Sequence, residues 1–195
     1  MRHKKTIMAK TQSEIENIKA VLLYVLGKTN ESMHKVKLFK LLYFAQREYL
    51  VKYGMSLFPD TFRAYPKGPV PSFTRKTISV FETGGDIPVD FKIFEGCISI
   101  QSNGNVCALQ KADMDELPPA VVKTIDHIWD MYGSYSPEEL TKMSHDSYWK
   151  KAIKRANDDP EQNIMSKIEI ARSGKASEDI IAYIRENELL DRYLS

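Results

Sequence analysis

Apolar residues recur every three or four positions in much of the chain, a spacing typical of amphipathic α-helices. The first such stretch covers residues 13–26. Ser13 and Glu16 have the spacing of a capping box at its start, and Gly27 is a natural stop. The same reasoning predicts further helices over residues 33–53, 72–81, 117–132, 136–144, 147–156, 163–172 and 177–190. The protein is therefore expected to be mostly helical.

The predicted helix over residues 33–53 has no clean polar face. Its charged residues lie on one side of the helical wheel, but Leu41, Phe44 and Val51 fall within the same arc. A helix that is apolar nearly all round is buried on several sides or contributes one face to a partner. The sequence leaves both alternatives open.

Two other segments favour strands. Residues 61–65 alternate as a short strand does, and the prolines and glycine of residues 66–71 indicate a rigid turn after it. Asn103-Gly104 lies between two β-prone runs, which is the pattern of a β-hairpin. The expected fold is α+β, a mostly helical single domain with a small antiparallel hairpin or sheet. Its expected divisions are a basic N-terminal arm (1–12), the domain (13–156) and a C-terminal helical appendage (157–195).

The chain has 195 residues, of which 43% are hydrophobic and 28% charged. This composition is typical of globular proteins. The absence of an apolar run long enough for a membrane span, and of an export signal, favours a cytoplasmic protein. Cys97 and Cys107 flank the predicted hairpin turn, and we expect buried thiols rather than a disulfide.

The charge is uneven along the chain. Residues 1–76 carry 15 basic and 5 acidic residues, whereas the remainder is acidic. A basic half can attract nucleic acid or an acidic protein, or it can pair with the acidic half of its own fold. No helix-turn-helix, zinc-finger or RNA-binding signature accompanies the charge, so weak contact with a nucleic acid backbone is the most it supports.

No catalytic constellation stands out, and we expect neither an enzyme nor a cofactor or metal. The four histidines are His3, His34, His127 and His145, and no spacing typical of metal ligands occurs. Ser144-His145-Asp146 are adjacent in sequence, so they point in different directions and cannot form a catalytic relay. A deep pocket that joined His127 or His145 to carboxylates would support an enzyme with dispersed residues instead.

Three short sequence blocks, taken in order, match the pattern of a known family. They are Lys37–Gln46 with Tyr49-Leu50, then Leu57-Phe58 with Phe62–Ala64 and Gly68–Val70, and finally Leu140-Thr141 with Ser144-His145 and Trp149. Over about residues 15–155 the chain resembles the Panacea domain, also called the SocA-like antitoxin domain, which is related to phage-associated GepA proteins. Three positions depart from the family pattern: Lys67 replaces an aromatic residue, Ser144 a threonine and Tyr148 a proline.

The resemblance implies an antitoxin, encoded by a prokaryote or phage, that neutralises a cognate protein toxin by direct contact. Members of the family pair with unrelated toxins, and at least one relative is a proteolytic adaptor. Occlusion of the toxin and delivery to a protease are therefore both expected routes. The alternative is a DNA-binding regulator that uses the basic half. The sequence leaves open whether the chain forms a homo-oligomer, and no membrane partner is expected.

We expect the toxin-facing surface to be formed or supported by two segments. Their residues are Tyr65, Lys67, Gly68, Pro69 and Val70 of the rigid loop, with Lys40, Phe44 and Arg47 of the second helix. A purely structural role for the loop is equally open. For His145 and Trp149 we favour structural roles, with His145 capping a helix and Trp149 filling the core. Deletion of residues 158–195 is expected to leave a folded core but impair neutralisation.

Overall fold

The computed structural model describes residues 10–194 and confirms the α+β prediction. Its α-helices are α1 (Gln12–Leu26), α2 (Lys35–Tyr53), α3 (Ser72–Thr83), α4 (Pro119–Tyr132), α5 (Pro137–Ser144), α6 (Ser147–Asp158), α7 (Lys167–Ser173) and α8 (Glu178–Leu194). Its strands are β1 (Met33–His34), β2 (Phe62–Tyr65), β3 (Gly68–Pro71), β4 (Ile98–Ile100) and β5 (Asn105–Ala108). Two short 3-10 helices, Val89–Phe94 and Pro160–Asn163, precede β4 and α7.

Helix α2 is the central element, because the β2–β3 hairpin and five of the helices pack against it: α1, α4, α5, α7 and α8. Its middle is buried on all sides, from Leu38 to Gln46, which explains the missing polar face. The helix begins at Lys35, later than predicted. The two residues before it pair with β5 instead, and the His34 side chain caps the helix by accepting a hydrogen bond from Val36 N at 3.3 Å.

The first helix is confirmed, but its predicted capping box is wrong. Thr11 is the N-cap, and it exchanges hydrogen bonds with Glu14 in a capping box two residues earlier than expected. Ser13 therefore lies in the first turn of the helix. Of the predicted basic arm, residues 1–9 lie outside the described part of the chain, and residue 12 already belongs to α1.

Two small antiparallel sheets complete the fold, with strand orders β1-β5-β4 and β2-β3. The hairpin predicted at Asn103-Gly104 is confirmed as β4–β5. Both cysteines are free thiols, and Cys97 is buried whereas Cys107 is partly exposed. The turn predicted over residues 66–71 is confined to residues 66 and 67, because residues 68–71 form β3. The prediction is wrong for those four residues.

The C-terminal helices complete the hydrophobic core. Residue 164 bridges to β2, and Met165 N donates to Phe62 O at 2.9 Å. Helix α7 then packs on α2, and α8 packs on both. Ile170 and Ile181 are buried in the same cluster as the residues of α2. Because of this packing we revise the expectation for a deletion of residues 158–195, and now predict that the remaining chain does not fold by itself.

None of the helices described between residues 10 and 194 is long and apolar enough to cross a membrane.

Candidate functional site

The β2–β3 hairpin lies against α2 and is held there by Lys40. Strand pairing joins Ala64 to Pro69 and Phe62 to Pro71, while the Ser72 N–H donates to the Thr61 carbonyl. Since hydrogen-bonded pairs alternate along an antiparallel ladder, both prolines occupy positions whose N–H is not needed. The Pro69 carbonyl consequently points away from β2, and it accepts a hydrogen bond from Lys40 Nζ at 2.8 Å.

Lys40 lies in the protein interior, since only 1% of it is exposed. Burial lowers the pKa of Lys40 to about 7, because the charged ammonium loses its hydration without gaining a carboxylate. Gly68 permits this arrangement in two ways. Its φ of 95° favours glycine, and a Cβ at this position would press on the Ser144 hydroxyl and lie 2.7 Å from Lys40 Nζ.

The corner between α5 and α6 fixes the hairpin from the other side. Asp146 is the N-cap of α6, and its side chain accepts hydrogen bonds from the backbone N–H groups of Tyr148 and Trp149. The His145 ring stacks on Trp149 at 3.7 Å between centroids. The Trp149 indole N–H donates to the Tyr65 carbonyl at 3.0 Å, at the end of β2.

Ser144, His145 and Asp146 each have a different structural role. The Ser144 hydroxyl donates to the Thr141 carbonyl at 2.8 Å, so it is not directed at the histidine. Burial lowers the pKa of His145, and the positive charge of Lys40 lowers it further. His145 is also the residue at the C-terminal end of α5, where its backbone N–H donates to the Lys142 carbonyl at 3.2 Å.

Tyr43 connects this corner to the C-terminal helices. Its hydroxyl lies 3.1 Å from an Asp146 carboxylate oxygen and 3.0 Å from the Ser173 hydroxyl in α7. Burial raises the pKa of Tyr43, and the Asp146 carboxylate raises it further, so the phenol stays protonated. Sequence reasoning missed Tyr43 and Ser173, because nothing local to either residue indicates a partner 130 positions away.

The structure divides the predicted toxin-facing residues into two groups. Tyr65 and Arg47 are partly exposed, and Lys67 is exposed at the hairpin turn. The other five are buried: Lys40, Phe44, Gly68, Pro69 and Val70. These five do not form an exposed surface in this conformation. Lys40, Gly68, Pro69 and Val70 are buried where the hairpin meets α2, and Phe44 packs on Tyr132 of α4. Of the two expected roles, support of the surface is therefore the one that remains for them.

A separate groove opens between α2, α4 and the turn that joins α7 to α8, with a volume of about 410 Å³. Arg47 and Lys175 lie along it, with Phe44 in its floor. His127, at the rim, is exposed, and its Nδ1 lies 2.9 Å from a Glu48 carboxylate oxygen. We call it the Arg47 groove.

Between residues 10 and 194, no three histidine, cysteine, aspartate or glutamate side chains are grouped so that they could hold a metal ion.

The three blocks quoted from the sequence thus meet in space, since α2, the β2–β3 hairpin and the α5–α6 corner contact one another. The family described as "Antitoxin SocA-like, Panacea domain" matches residues 38–150, more than half of the chain. This chain belongs to that family. The match runs from α2 into α6 and includes every element of this contact, and it indicates a role in a toxin–antitoxin system. No curated protein and no solved structure matched the chain.

Proposed function

We propose that this chain neutralises a toxin protein by binding it directly, with the turn of the β2–β3 hairpin at the interface. Family membership supports a toxin as the partner. We choose this surface because the first and third family blocks pack against the second, which forms the hairpin. This packing buries β3 and one face of β2, and it leaves Pro66 and Lys67 exposed at the turn.

The rigidity of the hairpin supports a binding role. The Trp149 indole holds the Tyr65 carbonyl at 3.0 Å, and the Asn163 side chain donates to the Ala64 carbonyl at 3.3 Å. Lys40 anchors β3 through its hydrogen bond as these two bonds anchor β2, so the turn has little conformational freedom left to lose on binding. Such preorganisation raises affinity without additional contacts.

The side chains around the turn are of the kinds that contribute most to protein interfaces. The Arg75 guanidinium lies 4.8 Å from the centroid of the Tyr65 ring, so an arginine and an aromatic residue form one unit beside Lys67. Tyrosine and arginine are enriched among residues that dominate binding energy. A stable interface buries on the order of 1,600 Å², so the turn is the centre of a larger contact.

The test is co-expression of the chain with the product of the adjacent open reading frame, with growth and complex formation as readouts. We expect the wild-type chain to form a stoichiometric complex and restore growth. Lys67→Glu should weaken the complex about tenfold or more, whereas Lys111→Glu, in the exposed loop after β5, should not. If the adjacent product neither binds nor inhibits growth, the proposed function is wrong. If Lys67→Glu binds normally, the hairpin turn is not the contact.

Occlusion is the mechanism we propose, because the hairpin turn is a fixed surface suited to a lasting complex. Purified toxin should then lose its activity when the purified chain is added at equal concentration without a protease. If activity is lost only in extracts that contain a protease, the chain acts as an adaptor instead.

A further inference from the structure

We propose that the Arg47 groove binds an acidic segment of the toxin through Arg47 and Lys175. This inference rests on the proposed function for the identity of the partner. Its evidence is separate from the hairpin, and comes from the charges, the backbone and the lining of the groove.

Arg47 is a partly buried arginine whose charge has no partner among residues 10–194. Its guanidinium carbon lies 4.8 Å from the centroid of the Phe44 ring and 5.7 Å from that of Tyr43. Within the same residues it makes no side-chain hydrogen bond and no ion pair. The two rings hold the guanidinium beside the groove, and its fork of N–H donors matches a carboxylate.

Lys175 is held in a backbone conformation that favours glycine. Its φ is 63°, the one positive φ of a residue other than glycine in the described chain. It occupies the left-handed position of a Schellman motif, since Lys175 N donates to Arg172 O at 3.0 Å and Ala176 N to Ala171 O at 3.1 Å. Strain of this kind is concentrated at functional sites, and here it places a lysine in the lining of the groove.

The remaining charges leave the groove positive. Glu48 is the acidic residue in the lining of the groove. Its carboxylate already contacts Lys52 Nζ at 2.8 Å and His127 Nδ1 at 2.9 Å. Arg47 and Lys175 are therefore the cations without a local counterion in this part of the described structure. A ligand that supplies carboxylates would pair with both cations, so we expect the ligand to be negatively charged.

The lining favours a protein segment over a nucleic acid. Val51, Ile128 and Met131 contribute apolar surface beside the charges, and Met131 is 47% exposed. The volume of about 410 Å³ suits a few side chains. An acidic residue with apolar neighbours on an exposed segment of the toxin fits both the charge and the apolar surface.

The first experiment is an NMR titration of the full chain with a capped peptide of alternating leucine and glutamate. We expect the Arg47 Nε–H signal and the backbone signals of Gly174 and Lys175 to shift and saturate. The same peptide with glutamine in place of glutamate should not shift them. Equal shifts with both peptides, or none with either, would overturn the inference. If duplex DNA shifts these signals and the acidic peptide does not, the groove is a nucleic acid site instead.

The second experiment measures binding of the adjacent open reading frame's product to variants of the chain. Arg47→Gln should weaken binding about tenfold or more, because a charge-assisted hydrogen bond is lost, and Arg47→Lys should recover part of it. Lys175→Gly should also weaken binding while it relieves the strained backbone. The matched control is Arg185→Gln, at an exposed arginine of α8.

The two proposals fail differently. If the wild-type chain does not bind the adjacent product, the proposed function fails, and the peptide titration still decides whether the groove takes an acidic segment. If the wild-type chain binds and Arg47→Gln binds equally well, the toxin does not occupy the groove. A thermal unfolding curve unchanged by Arg47→Gln shows that a loss of binding is not a loss of folding.

Discussion

Replacement of Lys40 by methionine is expected to stabilise the protein in neutral and mildly acidic solution. Lys40 is 1% exposed, and the Pro69 carbonyl at 2.8 Å is its described hydrogen-bond partner. Methionine has a similar length and no charge, so Lys40→Met removes the cost of burying an ammonium group. It also leaves the Pro69 carbonyl without a donor, and this loss opposes the gain.

The size and pH dependence of the effect follow from the pKa of Lys40, which burial lowers from 10.5 to about 7. Below pH 7 the side chain is charged in both states, so the full cost of burial opposes folding. Between pH 7 and 10.5 the unfolded chain holds a proton that the folded chain has lost, and stability therefore rises with pH. At about 1.4 kcal/mol per pKa unit, the cost near pH 6 is on the order of 4 to 5 kcal/mol. An unpaired carbonyl costs about 1 to 3 kcal/mol, which leaves Lys40→Met about 1 to 4 kcal/mol more stable at pH 6.

Urea unfolding of both proteins between pH 6 and pH 10 measures this difference. We expect the advantage of Lys40→Met to be constant up to pH 7 and then to fall by about 1.4 kcal/mol per pH unit. It should reverse before pH 10, because the neutral Lys40 no longer carries a buried charge while the variant still lacks a donor for the Pro69 carbonyl. Lys111→Met, at an exposed lysine, should show no such slope. A difference independent of pH, or a less stable variant at pH 6, would refute the reasoning.

Three further changes test how the hairpin and the C-terminal helices are held. Gly68→Ala should lower the free energy of unfolding by about 2 to 4 kcal/mol, because the added Cβ meets Ser144 at a positive φ; thermal or urea unfolding measures it. Trp149→Phe should cost about 1 to 2 kcal/mol, since the Tyr65 carbonyl loses the indole N–H, and an equally stable variant would argue against that bond. Deletion of residues 158–195 removes four large buried apolar side chains, worth about 1.5 to 3 kcal/mol each. That is comparable with the whole stability of a domain, and calorimetry should show no cooperative transition.

The elements that could be predicted from the sequence are those determined by neighbouring residues. The helices predicted over residues 136–144 and 147–156 are confirmed as α5 and α6, and the residues that cap them, Ser136 with Glu139 and Asp146, lie at their N-terminal ends in sequence. Helix α3 begins differently. Its first N–H groups bond to Asp60, which accepts from Phe73 N and Thr74 N at 2.9 Å from more than ten residues upstream. A cap of this kind has no local signature, so it could not be predicted.

Strand β3 was missed for a related reason. Proline lacks the N–H that a strand ladder uses, so a segment with Pro69 and Pro71 is predicted to be a turn. In the structure both prolines fall at positions of the pair where no N–H is used, and the ladder tolerates them. Whether a proline falls in that register depends on the partner strand. The partner strand, β2, could be predicted, but the register could not.

Lys40 and Arg47 show the same limit within a single helix. They are seven residues apart on α2 and therefore lie on nearly the same side of it, and the sequence treats them alike as two cations among apolar residues. The hairpin covers Lys40, while Arg47 lies beside a groove that α4 and the α7–α8 turn leave open. Helical periodicity determines the direction of each side chain, but the elements packed above it determine whether a partner can reach it. The family blocks are thus most informative about the scaffold, and the residues that we propose for contact with a toxin lie at its edges, at Lys67, Arg47 and Lys175.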